Sequence, residues 1–509
     1  MSVKPQSLTT ESNPTLNFQI LFLALGLGIV LRLIAVIWGD LDAGGDGTYR
    51  LIYAAEWARQ PQWKGLTGVW PPLHWYFLGT LIRLWDEPVF WARFVNLICG
   101  VGAIFALRSA TRSLFCETAA NISALLLAIS WTHIWLTTGY WVEIPYLFFV
   151  FLAVHYAIRA RESGQAKDAF LSGLWLALAV MLRHEGMLLV GLFFFWYLLN
   201  AKHCRLIFWF ALAPAIASSW HFIEPWLNGH SYFEYSATYA EMKAGENVTQ
   251  ELTLKDRLFQ IVLIPAAAPS LFVIVPGLYG LWRARRLIRY DLFAWMFIAQ
   301  ALMFITLTFT VGWRPQLRYV LLYFVNLYPY TALMWQRMME WRLPARVMLG
   351  MLVAATIIAQ SAAWWIGRND RLPLGYLPLR VHYESQKVLD EWIRQTKLSS
   401  ASNLKITAVA TSSLKETWRL PNSLLTNHLF PSNPDETEFN AAYMPGLLEG
   451  RIPLTLQAAD IILIDSRAFF YEKLFDGIKS QKPGVVVKQI HPEITAWLLT
   501  PEAQAAMNK

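Results

Sequence analysis

Charge is what this sequence has least of. Only 15% of its 509 residues are Asp, Glu, Lys or Arg, against about a quarter in soluble proteins. That excludes an ordinary soluble globule of this length. Cysteine is scarce too. Cys99, Cys116 and Cys204 are the only three, and none lies after residue 204, so the C-terminal region has neither a disulfide framework nor a Cys-x-x-Cys metal site. No Gly-x-Gly-x-x-Gly or Gly-x-x-x-x-Gly-Lys occurs, which removes the usual nucleotide-phosphate loops. No repeat of 20–50 residues and no low-complexity tract is visible. The first apolar run, Phe18 to Trp38, lacks a small-residue cleavage site and is longer than a signal-peptide core. It reads as an uncleaved first span.

What remains is apolar. Hydrophobic residues make up 56%, with 25 Trp, 30 Phe and 20 Tyr, in runs of about 18 residues or more that are long enough to cross a bilayer. The expected fold class is an α-helical polytopic membrane protein with about eleven spans. These lie near residues 18–38, 89–107, 118–137, 140–158, 169–183, 186–199, 206–227, 258–282, 291–311, 317–336 and 346–366. The net charge of +8 does not point to nucleic acid. From residue 367 on there are 16 Lys and Arg against 15 Asp and Glu, so the excess sits in the membrane part, as the positive-inside rule requires.

That rule sets the sidedness. With the N-terminus (1–16) cytoplasmic, alternate connections carry 14 basic residues, from Arg108 to Arg346, against five acidic ones. The segment Pro71–Trp85 is apolar but too short to cross simply, and is expected to lie in the outer interface. The membrane part is then 17–366, with an outer loop at 39–88. After Ile366 the composition changes. Residues 367–509 read as a soluble α/β domain outside the membrane, with a helix over 381–397 and strands near 404–410, 460–464 and 485–490.

On this threading five polar clusters share the outer face. The loop Gly39 to Tyr49 holds Asp40, Asp42 and Asp46 among glycines that let the backbone bend around Asp46. The plain alternative is a solvated turn with Asp46 capping the helix of 48–59. Asp40 and Asp42 have the spacing of a divalent-cation site. Glu143 opens a span, where a lone carboxylate faces a cavity or a partner. Arg183-His184-Glu185 interrupts two apolar runs; an Arg183–Glu185 or Arg183–Glu143 ion pair is the structural alternative to a substrate contact. Glu234 to Asp256 is an acidic stretch. Arg314 and Arg318, followed by Tyr319, suit a phosphate because guanidinium binds it bidentately; snorkelling to headgroups is the alternative. Arg32, deep in the first span, needs a partner, with Asp46 or Glu143 as candidates. Arg93 is a weaker candidate of the same sort.

An acidic loop with Asp46 and Tyr49, then Trp70-Pro-Pro-Leu-His-Trp-Tyr76, then Phe90-Trp-Ala-Arg93, resembles the polyprenyl-phosphate-sugar-dependent glycosyltransferases of the GT-C fold. The pattern is nearest to family 39, the protein O-mannosyltransferases and aminoarabinose–lipid A transferases. It covers about residues 15–200 and extends weakly to Arg318-Tyr319. The resemblance implies Asp46 as catalytic base and Glu143 as the acidic residue of the second outer loop. The candidate substrate-binding residues are Asp42, Tyr49, His74, Arg93, Arg183, His184, Glu185, Arg314, Arg318 and Tyr319. Two departures stand out. Asp46 is followed by Gly47 where many relatives have Glu, and Val69-Trp70 stands where lipid-A enzymes carry Glu-Lys, whose Lys meets the lipid phosphate. The phosphate's cation must then come from elsewhere.

The expected function is an inverting sugar transfer from a polyprenyl-phosphate donor to a lipid, glycan or protein acceptor. It takes place outside a bacterial inner membrane and requires no cofactor; a divalent cation at Asp40 and Asp42 is left open as an addition. A transporter or flippase of lipid-linked glycans is the alternative from another class. Paired inverted halves would favour it, and none is visible.

Overall fold

Hydrocarbon offers backbone groups no water, so a long apolar run closes its own hydrogen bonds as a helix. The computed structural model describes residues 14–38, 70–85, 88–139, 141–201, 203–228, 270–310, 317–339 and 344–368, with isolated residues between 50 and 61. Further on it describes 406–409, 425–428, 460–465 and 475–507 apart from 477, 481, 492 and 493. In order, the helices are α1 (Pro14–Trp38), α2 (Leu73–Leu84), α3 (Pro88–Leu114), α4 (Glu117–Ala128), α5 (Trp131–Thr138), α6 (Glu143–Ser163), α7 (Ala166–Val180), α8 (Gly186–Asn200) and α9 (Cys204–Asn228). Then follow α10 (Leu271–Arg283), α11 (Leu292–Thr310), α12 (Leu317–Phe324), α13 (Tyr328–Met338) and α14 (Ala345–Arg368).

Among the described residues, five helices are long and apolar enough to cross a membrane: α1, α3, α6, α11 and α14. The pair α4 and α5 makes a sixth apolar length, bent by 59°. Gly186–Asn200, Cys204–Trp220 and Leu271–Arg283 are apolar but shorter. This differs from eleven regular spans. The expected span 317–336 is also divided, by a 3₁₀ turn at Val325–Leu327, with Pro329 opening α13; proline suits a first helical turn because it has no N–H to satisfy.

The break at Ile129–Ser130 has its own chemistry. The N–H of Trp131 bonds Gln360 Oε1 at 2.7 Å instead of continuing the ladder. The carbonyls that end α4 are met by Arg32. Its guanidinium donates to Ala128 O at 3.1 Å and Leu127 O at 3.2 Å, to Gly28 O at 2.8 Å, and lies 2.6 Å from His133 Nδ1. A cation at a helix C-terminus also meets the negative end of the dipole. Arg32 therefore pins a broken helix; of its two candidate partners Glu143 is not among these contacts, and Asp46 lies outside the described residues. Arg32→Met should lower stability by about 2–4 kcal/mol, since buried acceptors of charge-assisted bonds lose their donor. Arg32→Lys should recover little, because an ammonium lacks the planar fork. Thermal unfolding of the detergent-solubilised protein checks both, and two unchanged midpoints would remove this role.

Helix α6 sets the axis of the bundle. It packs between α3 and α7, and α7 packs on α9. Gly173 allows that last approach, since a Cβ there would strike the Phe210 carbonyl. The 21 residues of α6 span about 30 Å, a hydrocarbon thickness. At its C-terminal end Arg161 stacks on Tyr290 at 4.2 Å, and Asn200 bonds Arg289 O at 2.9 Å. At its N-terminal end Glu143 meets Arg183. Helix α2 is short, as its segment suggested. It buries His74, Trp75, Leu78 and Ile82. The N–H of Leu73 bonds Met181 O at 3.0 Å, joining α2 to the Arg183 turn.

In the C-terminal region β1 (Ile406–Val409), β2 (Leu425–His428), β3 (Ile461–Asp465), β4 (Val486–His491) and β5 (Ile494–Leu498) form one sheet of order β2-β1-β3-β5-β4, followed by α15 (Pro501–Met507). β1 is parallel to β2 and β3, while β5 is antiparallel to β3 and β4. The three expected strands coincide with β1, β3 and β4. The expected helix over 381–397 lies outside the described residues.

Candidate active site

Glu143 is fully buried at the first turn of α6. The loop before it is held by buried Asn96 of α3, whose amide donates to Gly139 O at 2.8 Å and Trp141 O at 3.0 Å. Arg183 arrives on the turn between α7 and α8, closed by the Arg183 N–H to Ala179 O and the Gly186 N–H to Arg183 O, each 3.0 Å. A Cβ at Gly186 would lie 2.8 Å from Val180 Cα, so this turn needs glycine after Arg-His-Glu.

Arg183 is the hub. One arm pairs with Glu143 Oε1. The other side of the fork donates to both oxygens of Glu185, Nη2 at 2.6 Å and Nε at 3.2 Å. Both ion pairs weighed from sequence are present at once. Burial alone would push the Glu185 carboxyl up, but its bidentate bond to Arg183 overrides this and holds it down to about 2. Burial likewise opposes charge on Arg183, and Glu185 and Glu143 keep it protonated, well above its ordinary value.

Arg318 enters from α12. Its Nε lies 3.9 Å from Glu143 Oε1. Its guanidinium sits over the Trp141 ring at 4.7 Å and the Tyr319 ring at 4.8 Å and donates to Tyr319 Oη at 3.2 Å. Tyr319 also faces Arg183, 5.1 Å from its ring. These groups close a cavity of ≈ 100 Å³ lined also by His184, Trp70 and Arg50.

Glu143, Arg183, His184, Glu185, Arg318 and Tyr319 are thus brought together. Two other predicted residues are not in the cavity wall. Arg93 is half-buried on α3. His74 is buried on α2, and burial, helped by the neighbouring Arg50 charge, pushes it down to about 3, so it is neutral at physiological pH. Asp40, Asp42, Asp46, Tyr49, Arg314 and the stretch 234–256 lie outside the described residues. Among the described residues no group of three His, Cys, Asp or Glu is placed to hold a metal ion; the Asp40 and Asp42 pair lies outside that set. The sequence reading missed Arg50, Trp70 and Trp141 as lining residues. The signal available was Arg50 directly after the acidic loop, beside a run of tryptophans.

Residues 69–220 match the family model described as dolichyl-phosphate-mannose-protein mannosyltransferase. No curated protein matches the chain in sequence. Among solved structures, ArnT from Cupriavidus metallidurans bound to undecaprenyl phosphate is 11% identical, over 97% of this chain and 99% of that one, with a TM-score of 0.59. Its apo state gives 12% and 0.58, over 96% and 99%. The apo oligosaccharyltransferase from Archaeoglobus fulgidus is 12% identical, over 89% of this chain and 70% of that one, with a TM-score of 0.51. The segment 69–220 carries Trp70, Glu143, Arg183, His184 and Glu185 of the cavity. The chain has the fold of these membrane glycosyltransferases, and over residues 69–220 it is similar to the mannosyltransferase family model.

Proposed function

We propose that the protein moves a sugar from a polyprenyl-phosphate donor to an acceptor hydroxyl at the extracytoplasmic face of a bacterial inner membrane. The observation that carries this reading is the cavity itself. Three guanidinium groups and two carboxylates, drawn from distant parts of the chain, meet at one end of α6 around a space of ≈ 100 Å³. That is far below the roughly 300–1,000 Å³ of a site that encloses a whole ligand. It suits one anionic head whose lipid tail stays in the bilayer. ArnT, of the same fold, is seen with undecaprenyl phosphate, the kind of anion this cavity suits.

In the proposed reaction Asp46 takes the proton of the acceptor hydroxyl as its oxygen attacks the anomeric carbon. The bond from that carbon to the phosphate oxygen breaks, the phosphate leaves with the electron pair, and the configuration inverts. Arg318, with Arg314, stabilises the leaving charge where little water screens it. Glu143 anchors Arg183 and aligns Arg318, and His184 and Tyr319 complete the wall around the head group. Asp40 and Asp42 are the carboxylates available to a divalent cation. The acceptor is a lipid, a glycan or a protein. The N-terminus lies in the cytoplasm and residues 367–509 lie outside.

The test uses the purified full-length protein in liposomes with radiolabelled undecaprenyl-phosphate sugar and lipid, glycan and peptide acceptors. Label should pass to one acceptor class with release of undecaprenyl phosphate. Label equilibrating between leaflets without a product would replace transfer with transport.

A further inference from the structure

We propose that a groove between α1 and α14 holds one acyl chain of an anionic phospholipid, with the lipid's phosphate on Arg346. This site lies away from the cavity around Glu143 and stands apart from the transfer reading. Two apolar stripes at helical spacing face one another. Leu16, Ile20, Leu23 and Leu27 of α1 stand opposite Leu349 and Val353 of α14, around a groove of ≈ 610 Å³. That volume falls within the roughly 300–1,000 Å³ of sites that enclose a ligand. Helix α1 packs on α4, while α14 packs on α10 and α13, so the groove runs along a seam between two parts of the bundle.

Its depth comes from two glycines. Membrane helices commonly use glycine to bring two backbones together. Gly26 and Gly350 line the groove, yet among the described residues a Cβ at either would meet nothing within 4 Å. Glycine inside a helix is unfavourable relative to alanine, and no close backbone contact accounts for it here. The two positions leave room for something outside the chain. The length of that room fits one leaflet. Residues 16 to 27 rise about 16 Å along α1, roughly half of a hydrocarbon core of about 30 Å. A single acyl chain fills that length, whereas a polyprenyl chain of many isoprene units overruns it.

Charge selects the head group. The amide of Asn121, near the start of α4, donates to Asn17 O at 3.0 Å. Cys116, just before α4, bonds Gln336 of α13 at 3.1 Å, and α14 follows α13. The first turns of α1 and α14 therefore lie at the α4-start end of the bundle, away from Glu143. Arg108 and Arg112 are at that end too, but Glu117 engages both. Arg346 is different. It is exposed in the first turn of α14, it lines the groove, and no carboxylate among the described residues pairs with it. A guanidinium takes two phosphate oxygens at once, and the N–H groups that open α1 and α14 add a positive helix end. The groove is thus apolar along its length and cationic at its mouth. A zwitterionic lipid would bring its own ammonium beside Arg346; an anionic one would not.

The experiment is native mass spectrometry of the full-length protein in detergent, titrated with phosphatidylglycerol, phosphatidylethanolamine or undecaprenyl phosphate. Photoreactive phosphatidylglycerol locates the site. The wild type should hold one phosphatidylglycerol about 5-fold more tightly than phosphatidylethanolamine, the effect of one cation at a lipid surface. Crosslinks should fall in residues 16–27 and 346–353. Arg346→Gln should erase the preference and leave phosphatidylethanolamine binding unchanged. Gly26→Leu and Gly350→Leu should each weaken both phospholipids at least about 10-fold by filling the groove. Leucine is the better helix former and has open space at both positions, so the lipid-free melting point should not fall, which separates lost binding from lost fold. Equal affinity for the two phospholipids, unchanged by Arg346→Gln, overturns the proposal. So does undecaprenyl phosphate that displaces phosphatidylglycerol one for one from the same crosslinked segments. A lipid-free dimer that Gly350→Leu dissociates overturns it as well, since a second copy would then fill the groove.

Discussion

Arg183→Met is expected to destabilise the protein by about 3–5 kcal/mol, because it strands a buried charge. Glu143 has no solvent exposure, and Arg318 stands 3.9 Å away with its guanidinium laid on Trp141 and Tyr319. Arg318 cannot take over without leaving both rings. Glu185 suffers less, since its side chain is 24% exposed and water can reach it. The pair should therefore behave unequally in a cycle. Adding Glu143→Gln to Arg183→Met should recover most of the lost stability, and Glu185→Gln should recover little. Thermal unfolding of the wild type, the three single variants and the two double variants in detergent gives both couplings, which for groups in one network are about 0.5–3 kcal/mol. Additive losses would mean that the ion pair is not what holds the two loops together. The rescued double variant should remain inactive, since the aligned Arg183–Glu143 pair is gone even though the fold is back.

Asp46→Asn is expected to lower kcat by about 10²–10⁴-fold, the usual share of a general base. Undecaprenyl phosphate binding and melting point should be unchanged. Asp46 precedes Arg50 by four residues in the sequence. Arg50 itself lines the cavity, which is why the substitution is made at Asp46 first. The same substitution at Asp40 or Asp42, which are assigned no proton transfer, should cost less unless a divalent cation bridges them to the donor. Single-turnover assays with each of the three Asn variants separate these cases. A full rate from Asp46→Asn would take that residue out of the chemistry.

The apolar runs made the helices legible, and the interruptions at Glu143 and Arg183-His184-Glu185 marked the places that turned out to meet. Pairwise charge logic sufficed for the Arg183 hub because its partners are side chains. It failed for Arg32, whose partners are the carbonyls of Leu127 and Ala128. Backbone groups freed at a break leave no trace in a sequence, and Ile129-Ser130 carries neither Pro nor Gly to announce one. Arg50 escaped notice for a related reason. It directly follows the acidic loop in the sequence, and its meeting with Trp70 depends on how α2 docks against the turn at Met181. In the C-terminal region β1, β3 and β4 were readable from apolar, β-branched runs. β2, Leu425–His428, is polar at Thr426, Asn427 and His428, and its place beside β1 is set by pairing, not by composition.

The hub of the site also imposes an order on biosynthesis. Glu143 and Arg183 are 40 residues apart. At roughly 5–20 residues per second of translation, the carboxyl leaves the ribosome some 2–8 s before the guanidinium that neutralises it. Until then the carboxylate that heads this helix lacks its Arg183 partner. Codon changes that slow synthesis between those two positions should then reduce the yield of inserted protein without altering a single residue.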